Sequence, residues 1–246
     1  EWGDEPDAGA AVDTVYSEGE GRRPLPPGRY HVIVTRGPEY TIDERDVTVA
    51  VGKSVRVSAV VEHAVDTRGY VSADLHVHAD PSFDAPTLLE DRVRSLAAVG
   101  VDVAVATDHN AVTDYGPAIE HLSLGKRLAS IVGDEVTTKE VLFGHFNVFP
   151  LVAGTAPIPF ERIAPSELFA AARGLAKPGI PFVVQVNHPR MGDIGYLELL
   201  RFDRGDVEAW TRRAKLFAAG FDAIEIFNGD HYAEIGKVER CLDDWY

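Results

Sequence analysis

The pattern of hydrophobic and polar positions changes near residue 70. Before it, short segments rich in Val, Ile, Thr and Tyr alternate in polarity and are separated by turn-forming residues, as in "GRYHVIVTRG", "RDVTVAV" and "KSVRVSAVVE". A period of two is typical of strands with one buried face. The pattern predicts a small antiparallel, β-sandwich-like module over residues 13–69, after a flexible acidic segment over residues 1–12.

After residue 70, apolar runs alternate with amphipathic helical patterns. Runs such as "VDVAVATD" and "PFVVQVN" are typical of strands buried on both faces of a parallel sheet, and "APTLLEDRVRSLAAVG" and "DVEAWTRRAKLFAAG" are typical of helices between them. This alternation predicts an α/β domain over residues 70–246. In such a domain, functional side chains gather at the carboxyl ends of the strands.

Composition restricts the function further. The 246 residues carry a formal net charge of -15, which argues against a nucleic-acid partner because such binding depends on clustered Lys and Arg. The single cysteine, Cys241, excludes an internal disulfide and a Cys-based zinc site. No apolar run approaches the roughly 18 residues of a membrane span. Nothing in the sequence indicates an oligomeric state.

The segment "DLHVHADPSFD" places chemically active side chains at a strand end. Because side chains on a strand alternate between faces, Asp74, His76 and His78 point the same way. Two imidazoles in this arrangement can bind one divalent ion. The competing interpretation is a pair of surface histidines after a strand.

Later strand ends favour the metal interpretation, because five of the nine histidines fall in or beside predicted strands that face one rim. The five are His76, His78, His109, His145 and His188. Glu135 ends a further strand, with Asp134 expected to point away from it. The other four histidines, His31, His63, His121 and His231, are expected to be structural or exposed.

A cluster of His, Asp and Glu without Cys suits Zn, Mn or Fe in a hydrolytic site. Such ions lower the pKa of a bound water molecule and polarise the bond that is attacked. Two residues keep alternative interpretations. Asp84 is either a ligand or the cap of the helix that follows it. Asp108 either binds metal or orients a ligating imidazole.

The order of these motifs resembles the PHP (polymerase and histidinol phosphatase) superfamily. The resemblance rests on "DLHVH", an acid six residues after the second His of that motif, "TDHN", "GDEVT", a downstream His and "NHPR". The wording "DLHVHADPSFD" and "AIEIFNG" is similar to the carbaryl hydrolase-type (CehA/McbA-like) branch of secreted or envelope metallohydrolases.

The resemblance implies a distorted (β/α)7 barrel with two or three divalent ions. It also implies that the protein hydrolyses phosphoesters or other esters. It implies that His76 and His78 bind one ion, that Glu135 bridges it to a second ion held by His145 and His188, and that Asp84 and His109 hold a third. Asp74, Asp108 and Asn187 are expected to orient these ligands, Arg190 to bind an anionic oxygen, and Asn228 to contact substrate.

One departure from the family pattern bears on the fold. The last family motif, an Asp-x-His on the final strand, is absent from the sequence. We count about six strands in this domain. They end near His78, Asp108, Glu135, Phe149, Asn187 and Asn228. The expectation is therefore an incomplete barrel.

The leading functional prediction is a metal-dependent phosphoesterase acting on a small molecule. A carboxyl or carbamate ester hydrolase is the alternative, with a pocket formed by Phe83, Phe143, Phe146, Met191 and Tyr196. A second alternative is a non-catalytic, metal-containing binding protein. The branch resemblance and the β module favour a periplasmic or secreted location over a cytoplasmic one.

Overall fold

A computed structural model describes residues 19–202, 214–228 and 235–245 of the chain. The predicted flexible segment 1–12 and most of the predicted helix over residues 206–220 lie outside these ranges. The described strands are β1 (Gly28–Val34), β2 (Asp43–Val49), β3 (Ala73–Val77), β4 (Val103–Ala106), β5 (Ala129–Val132), β6 (Asp134–Thr137), β7 (His145–Phe149), β8 (Val183–Val186) and β9 (Ala223–Ile224). The described helices are α1 (Leu89–Ala98), α2 (Gly116–His121), α3 (Pro165–Arg173), α4 (Tyr196–Leu199) and α5 (Ile235–Trp245), with a 3₁₀ turn at Ala214–Leu216.

The N-terminal module contains one regular pair of strands. β1 and β2 form an antiparallel hairpin in which Gly28 pairs with Val49 and Val34 with Asp43. The third predicted strand, over residues 53–62, forms no regular strand. Its apolar side chains have no opposing layer, and Val60 is 68% exposed. Among the described residues the module is therefore a hairpin with appended segments, and a sandwich is not formed.

The chain divides into two compact units that exchange segments along the sequence. The first comprises Glu1–Asp74, Thr87–Ala104 and Gly116–Ala129, and the second comprises Leu75–Pro86, Val105–Tyr115 and Ser130–Tyr246. The module boundary near residue 70 stays a prediction. All seven predicted metal ligands belong to the second unit, so the candidate site can be described within one unit.

The central strands form sheets of order β3-β4-β5 and β6-β7-β8-β9. β3 and β4 run parallel, since residue numbers rise together along the pair: Val103 N–H donates to Ser72 O and Thr107 N–H donates to Val77 O. Gly133 separates β5 from β6. A Cβ at Gly133 would lie 2.9 Å from Ala106 O, so a glycine permits the close approach of neighbouring backbone at this point.

β7 runs against its neighbours, which corrects the expectation of a purely parallel sheet. Thr137 pairs with His145 and Asp134 with Val148 in antiparallel register, and β7 is also antiparallel to β8. The connection over residues 138–144 is too short for the crossover of about a dozen residues that a parallel pair needs. As a result the first residue of β7, His145, lies beside the carboxyl end of β6.

The fold is mixed α/β, as predicted, and none of the sheets closes into a barrel within the described residues. A hydrophobic core lies on strands β6–β8 and helices α3 and α4. Its centre is a set of edge-to-face rings, with Phe146 centroids 5.1 Å from Phe169 and 5.2 Å from Tyr196. Phe143, Phe146 and Tyr196, predicted as possible pocket residues, are therefore core residues. No described helix is long and apolar enough to cross a membrane.

Tyr196 gives a test of this core through its hydroxyl. The hydroxyl donates to Ala218 O at 3.1 Å and accepts from Ala218 N–H at 2.8 Å, and burial raises its pKa to about 12. The unfolded chain has a tyrosine pKa of about 10. Tyr196 therefore stabilises the fold fully below pH 10, and this contribution is lost as the pH rises towards 12.

We predict that Tyr196→Phe lowers the free energy of unfolding at pH 8 by about 1–2 kcal/mol, because the Ala218 N–H loses its acceptor. The variant should also lose one phenolate step near pH 12 in the absorbance titration at alkaline pH. Tyr70→Phe, at a position that is 82% exposed, is the matched control. An unchanged titration curve and an unchanged urea midpoint in Tyr196→Phe would contradict this assignment.

Candidate metal centre

The carboxylate of Glu135, fully buried in the middle of β6, is the centre of the site. Five imidazoles surround it, and each approaches one of its two oxygens. On Oε2, the nearest nitrogens are His76 Nε2 at 3.2 Å, His78 Nε2 at 2.8 Å and His109 Nδ1 at 3.1 Å. On Oε1, they are His145 Nδ1 at 3.2 Å and His188 Nε2 at 3.6 Å.

The strand ends explain why these rings converge. His76 lies in β3, with His78 just after its end, and His109 follows β4 and forms an isolated parallel bridge with Glu135. His145 begins the reversed strand β7. His188 follows β8 with a φ of 28°, an uncommon conformation for a residue with a side chain. The structure thus brings together all five histidines that the sequence analysis assigned to one rim.

Several buried polar atoms of this cluster have no hydrogen-bond partner among the described residues. They include Glu135 Oε2, His145 Nδ1 and His188 Nδ1. Buried polar groups are nearly always paired, so such atoms need an explanation. The nitrogens of His76, His78 and His109 lie within 3.2 Å of Oε2 although this oxygen has no hydrogen bond among the described residues, which is the relation expected of ligands that share a cation. The residues present therefore fit a metal ion.

Three overlapping groups of ligand atoms have internal distances within 4.8 Å. They are His76 with His78 and Glu135, His109 with Glu135 and His145, and His78 with Asp84 and His109. Glu135 belongs to two of these groups, and its role as a bridge between two ions stays a prediction. The number of ions and their identity stay predictions, because His and carboxylate ligands serve Zn, Mn and Fe alike.

Asp84 faces the cluster. Its Oδ1 lies 3.1 Å from His78 Nδ1 and its Oδ2 lies 3.2 Å from His109 Nε2. Helix α1 begins at Leu89 with Leu88 as its N-cap and no side-chain cap, so Asp84 does not cap this helix. Of its two interpretations, the position of Asp84 favours the ligand.

The charges of the cluster are strongly coupled. Burial by itself raises the pKa of the Glu135 carboxyl, but the surrounding imidazoles outweigh burial and hold its pKa well below the usual range. Burial lowers the pKa of His76, yet the nearby Glu135 and Glu225 carboxylates raise it to about 10. Burial lowers the pKa of His109 to about 4. In this arrangement the negative charge of Glu135 is kept in the interior by positive charge beside it.

Glu225 contacts two histidines of the cluster and is not among the site residues predicted from the sequence. Its carboxylate accepts hydrogen bonds from His76 Nδ1 at 3.0 Å, His188 N–H at 2.7 Å and Asn228 Nδ2 at 3.2 Å. The bond to Nδ1 directs Nε2 of His76 towards Glu135, as in carboxylate–histidine–metal arrangements. An acid inside the apolar run "FDAIEIFNG" was the available signal. Asn228, predicted to contact substrate, here supports Glu225.

Asn187 contacts the centre, because its Nδ2 donates to Glu135 Oε1 at 2.8 Å and to Asn147 Oδ1 at 2.7 Å, and its role in orienting the ligands stays a prediction. Asp108 acts on the backbone, where Oδ1 accepts the Ala79 N–H at 2.7 Å directly after His78. Burial raises the pKa of Asp108.

The remaining predicted residues are Asp74, Asp134 and Arg190. Asp74 is half-buried in β3, and its orienting role stays a prediction. Asp134 points away from the centre and accepts the Ile158 N–H at 3.1 Å. Arg190, predicted to bind an anionic oxygen, is buried, and its Nε and Nη2 donate to Asp244 of α5 at 2.6 Å each. Its guanidinium therefore attaches α5, and the predicted role has to compete with this ion pair.

The remaining histidines lie elsewhere. His31, His63 and His121 belong to the first compact unit, where their ring nitrogens lie within 3.1 Å of the carboxylates of Asp46, Glu39 and Glu90. His231 lies outside the described residues.

Comparison with models of known protein families gives no match, and comparison with curated proteins gives none either.

We predict that divalent metal stabilises the metal-free full chain and that Glu135 is required for this effect. Zn²⁺ or Mn²⁺ at 100 times its Kd should raise the free energy of unfolding by about 2.7 kcal/mol. Glu135→Gln should remove most of the increase, because Gln keeps the shape of the side chain but not its charge. The readouts are calorimetric metal binding and the thermal midpoint with and without metal.

Asp134→Asn is the matched control for Glu135→Gln, because it changes the neighbouring buried acid, whose pKa burial raises to about 7 and whose side chain points away from the cluster. Metal binding should survive in this control. Equal metal stabilisation of the Glu135→Gln variant and the wild type would contradict the assignment.

We predict that Asp244→Asn destabilises the chain by about 1.5–3 kcal/mol, because it removes the carboxylate that Nε and Nη2 of the buried Arg190 contact and leaves, among the described residues, only the longer Glu198 ion pair at 3.6 Å. Asp243→Asn, at an exposed position of the same helix, is the control. Urea unfolding of both variants measures the difference. A change below about 0.5 kcal/mol for Asp244→Asn, the range of ordinary surface substitutions, would show that the ion pair does not hold α5.

Proposed function

We propose that this chain is a metal-dependent hydrolase that cleaves phosphoester bonds in small molecules. The observation that carries the proposal is the buried Glu135 carboxylate, which is shared by five imidazoles and has an oxygen without a hydrogen bond among the described residues. We also propose that the sheet is a distorted barrel of the PHP type. The order of the motifs and the convergence of their histidines at strand ends support that relationship.

The residues define which parts of the reaction the chain performs. Divalent ions in this site would supply Lewis acidity and lower the pKa of a water molecule. Glu135 and the histidines would hold the ions, while Glu225 and Asn187 fix the orientation of His76 and Glu135. Two or three divalent ions would outweigh the three carboxylates of Asp84, Glu135 and Glu225, so the loaded site would carry a net positive charge. Such a site favours an anionic substrate.

Besides Arg190, Lys139 is a cation close to the site, next to the exposed ring of Phe83. The Phe83 ring is 72% exposed and stacks on the His109 ring with centroids 4.6 Å apart. Lys139 Nζ lies 6.0 Å from the centroid of Phe83 and 5.3 Å from that of Phe160. With Arg190 engaged by Asp244, Lys139 is the better candidate for binding a phosphate oxygen of the substrate.

Phe83 also supports the alternative substrate class. An exposed ring stacked on a ligating imidazole offers an apolar surface to the organic group of a carboxyl or carbamate ester. Of the five residues predicted to line such a pocket, Phe83 contacts the cluster through its stacking on His109.

A panel of p-nitrophenyl phosphate, bis(p-nitrophenyl) phosphate, p-nitrophenyl acetate and an aryl carbamate separates the proposals. We predict turnover of a phosphoester by the Zn-, Mn- or Fe-loaded chain, and a loss of at least about a hundredfold in kcat with Glu135→Gln. Lys139→Met should raise KM for the phosphoester several-fold and leave KM for the uncharged acetate unchanged. Asp134→Asn is the control for folding and metal loading.

Turnover of the acetate or carbamate without any phosphoester turnover would replace the proposal by the ester hydrolase. A chain that binds metal stoichiometrically but turns over none of the four compounds would favour the metal-containing binding protein.

A further inference from the structure

A cleft in the first compact unit lies outside the candidate metal centre and has a different composition. Its volume is about 490 Å³, within the range of small-molecule sites. The lining comes from the loop after β1, the end of α1 with the residues that follow it, and the segment after α2. Its lining residues are Arg36, Glu39, Tyr40, Ala97, Gly100, Asp102, Ser123, Lys126 and Arg127.

Two glycines allow the loop after β1 and the end of α1, which both contribute to the cleft, to approach each other backbone to backbone. Gly37 has a φ of +86°, and a Cβ there would lie 1.9 Å from Val99 O. Gly100 has a φ of +81°, and its Cβ position lies 3.4 Å from Arg36 O. Any side chain at Gly37 would push the two segments apart. The cleft is therefore defined by tight backbone packing.

The cations of the cleft are not neutralised. Arg36, Lys126 and Arg127 form no ion pair with a carboxylate of the described residues. Elsewhere in the described chain, arginines such as Arg45, Arg68 and Arg173 are paired with acids. Three unpaired cations around one cleft are unexpected in a chain with a formal net charge of -15.

The two acids that line the cleft have other partners. Glu39 Oε2 lies 3.1 Å from His63 Nε2 and accepts a hydrogen bond from Thr67 Oγ1 at 3.1 Å. Asp102 Oδ2 accepts the Ser72 N–H at 3.0 Å. These contacts hold the carboxylates through partners other than the three cations. Among the described residues that line it, the cleft therefore has three cations and two carboxylates, which leaves a net positive charge for a ligand.

Tyr40 is held in place beside the cations. The Arg36 guanidinium carbon lies 4.8 Å from the centroid of the Tyr40 ring. The centroid of the His63 ring lies 5.0 Å from that of the same Tyr40 ring. An isolated antiparallel bridge joins Tyr40 to His63. Arg36 is thereby oriented, which lowers the entropic cost of using it to bind an anion.

We propose that this cleft binds a soluble phosphorylated small molecule, with Arg36, Lys126 and Arg127 on the phosphate group. Guanidinium groups match the oxygens of a phosphate in bidentate geometry, and three cations suit a group with up to two negative charges. A volume of about 490 Å³ leaves room for an organic part beyond the phosphate. The proposal does not depend on the proposed hydrolase function.

The test is calorimetric binding of glucose 6-phosphate to the full chain after removal of metal by a chelator, at low ionic strength. Chelation prevents hydrolysis and metal-mediated binding at the other site. We expect a Kd below about 1 mM, which corresponds to about -4 kcal/mol. The double variant Lys126→Gln/Arg127→Gln should raise the Kd at least about tenfold, since each charged hydrogen bond contributes about 1.5–3 kcal/mol.

Arg29→Gln is the matched control, because Arg29 is an exposed arginine of β1 that does not line the cleft. It should change the Kd less than about twofold after the general effect of charge is screened by salt. Arg36→Gln, with the thermal midpoint as a check on folding, tests the third cation. Glucose should not bind.

Three results would overturn the proposal. The first is the absence of glucose 6-phosphate binding at about 10 mM, which is far above the Kd expected for such a site. The second is an unchanged Kd in the double variant. The third is an increase in Kd for Arg29→Gln that equals the increase for the double variant. Because metal is absent throughout, failure here leaves the proposed hydrolase function intact. Failure of the esterase panel likewise leaves this binding result intact.

Discussion

A carboxylate buried in a protein interior must have its charge compensated, and at Glu135 five imidazoles stand within 3.6 Å to provide it. Burial alone raises the pKa of this carboxyl, but its neighbours hold that pKa well below the usual range. Protons on the imidazoles and a bound divalent cation meet the same electrostatic requirement. A cation meets it better, because it also satisfies the buried oxygen and ring nitrogens that have no hydrogen bond among the described residues.

The sheet is arranged so that ligands from distant parts of the sequence reach this carboxylate. The reversed strand β7 brings its first residue, His145, beside the carboxyl end of β6. Gly133 lets β5 and β6 pass close to their neighbours just before Glu135. Glu225 then holds His76 by its side chain and His188 by its backbone. Together these features bring the side chains of the cluster to Glu135.

Much of the site could be predicted from the sequence, because strand side chains alternate and polar residues at strand ends share a rim. His76 and His78 follow from the first rule, and His109 and His188 from the second. Strand direction could not be read from an apolar run, so β7 was assigned the wrong orientation. His145 was still placed at the rim, because a reversed strand presents its beginning there.

Other features depend on tertiary contacts that periodicity does not encode. Glu225 lies inside an apolar run, where its pairing with His76 is visible only in three dimensions. Arg190 follows a motif residue, but its partner Asp244 is 54 positions away in the sequence. The third predicted strand of the N-terminal module has the right alternation, but its side chain at Val60 is 68% exposed and the described residues form no layer over it. Residues 53–62 therefore remain without regular pairing.

Counting metal ions per chain tests the central claim most directly. Elemental analysis of the purified full chain, beside the Glu135→Gln variant prepared in parallel, needs no assumption about substrate. The account predicts at least one Zn, Mn or Fe ion per wild-type chain and a marked loss in the variant. A folded wild-type chain that holds no divalent metal after growth and dialysis with these ions would contradict it.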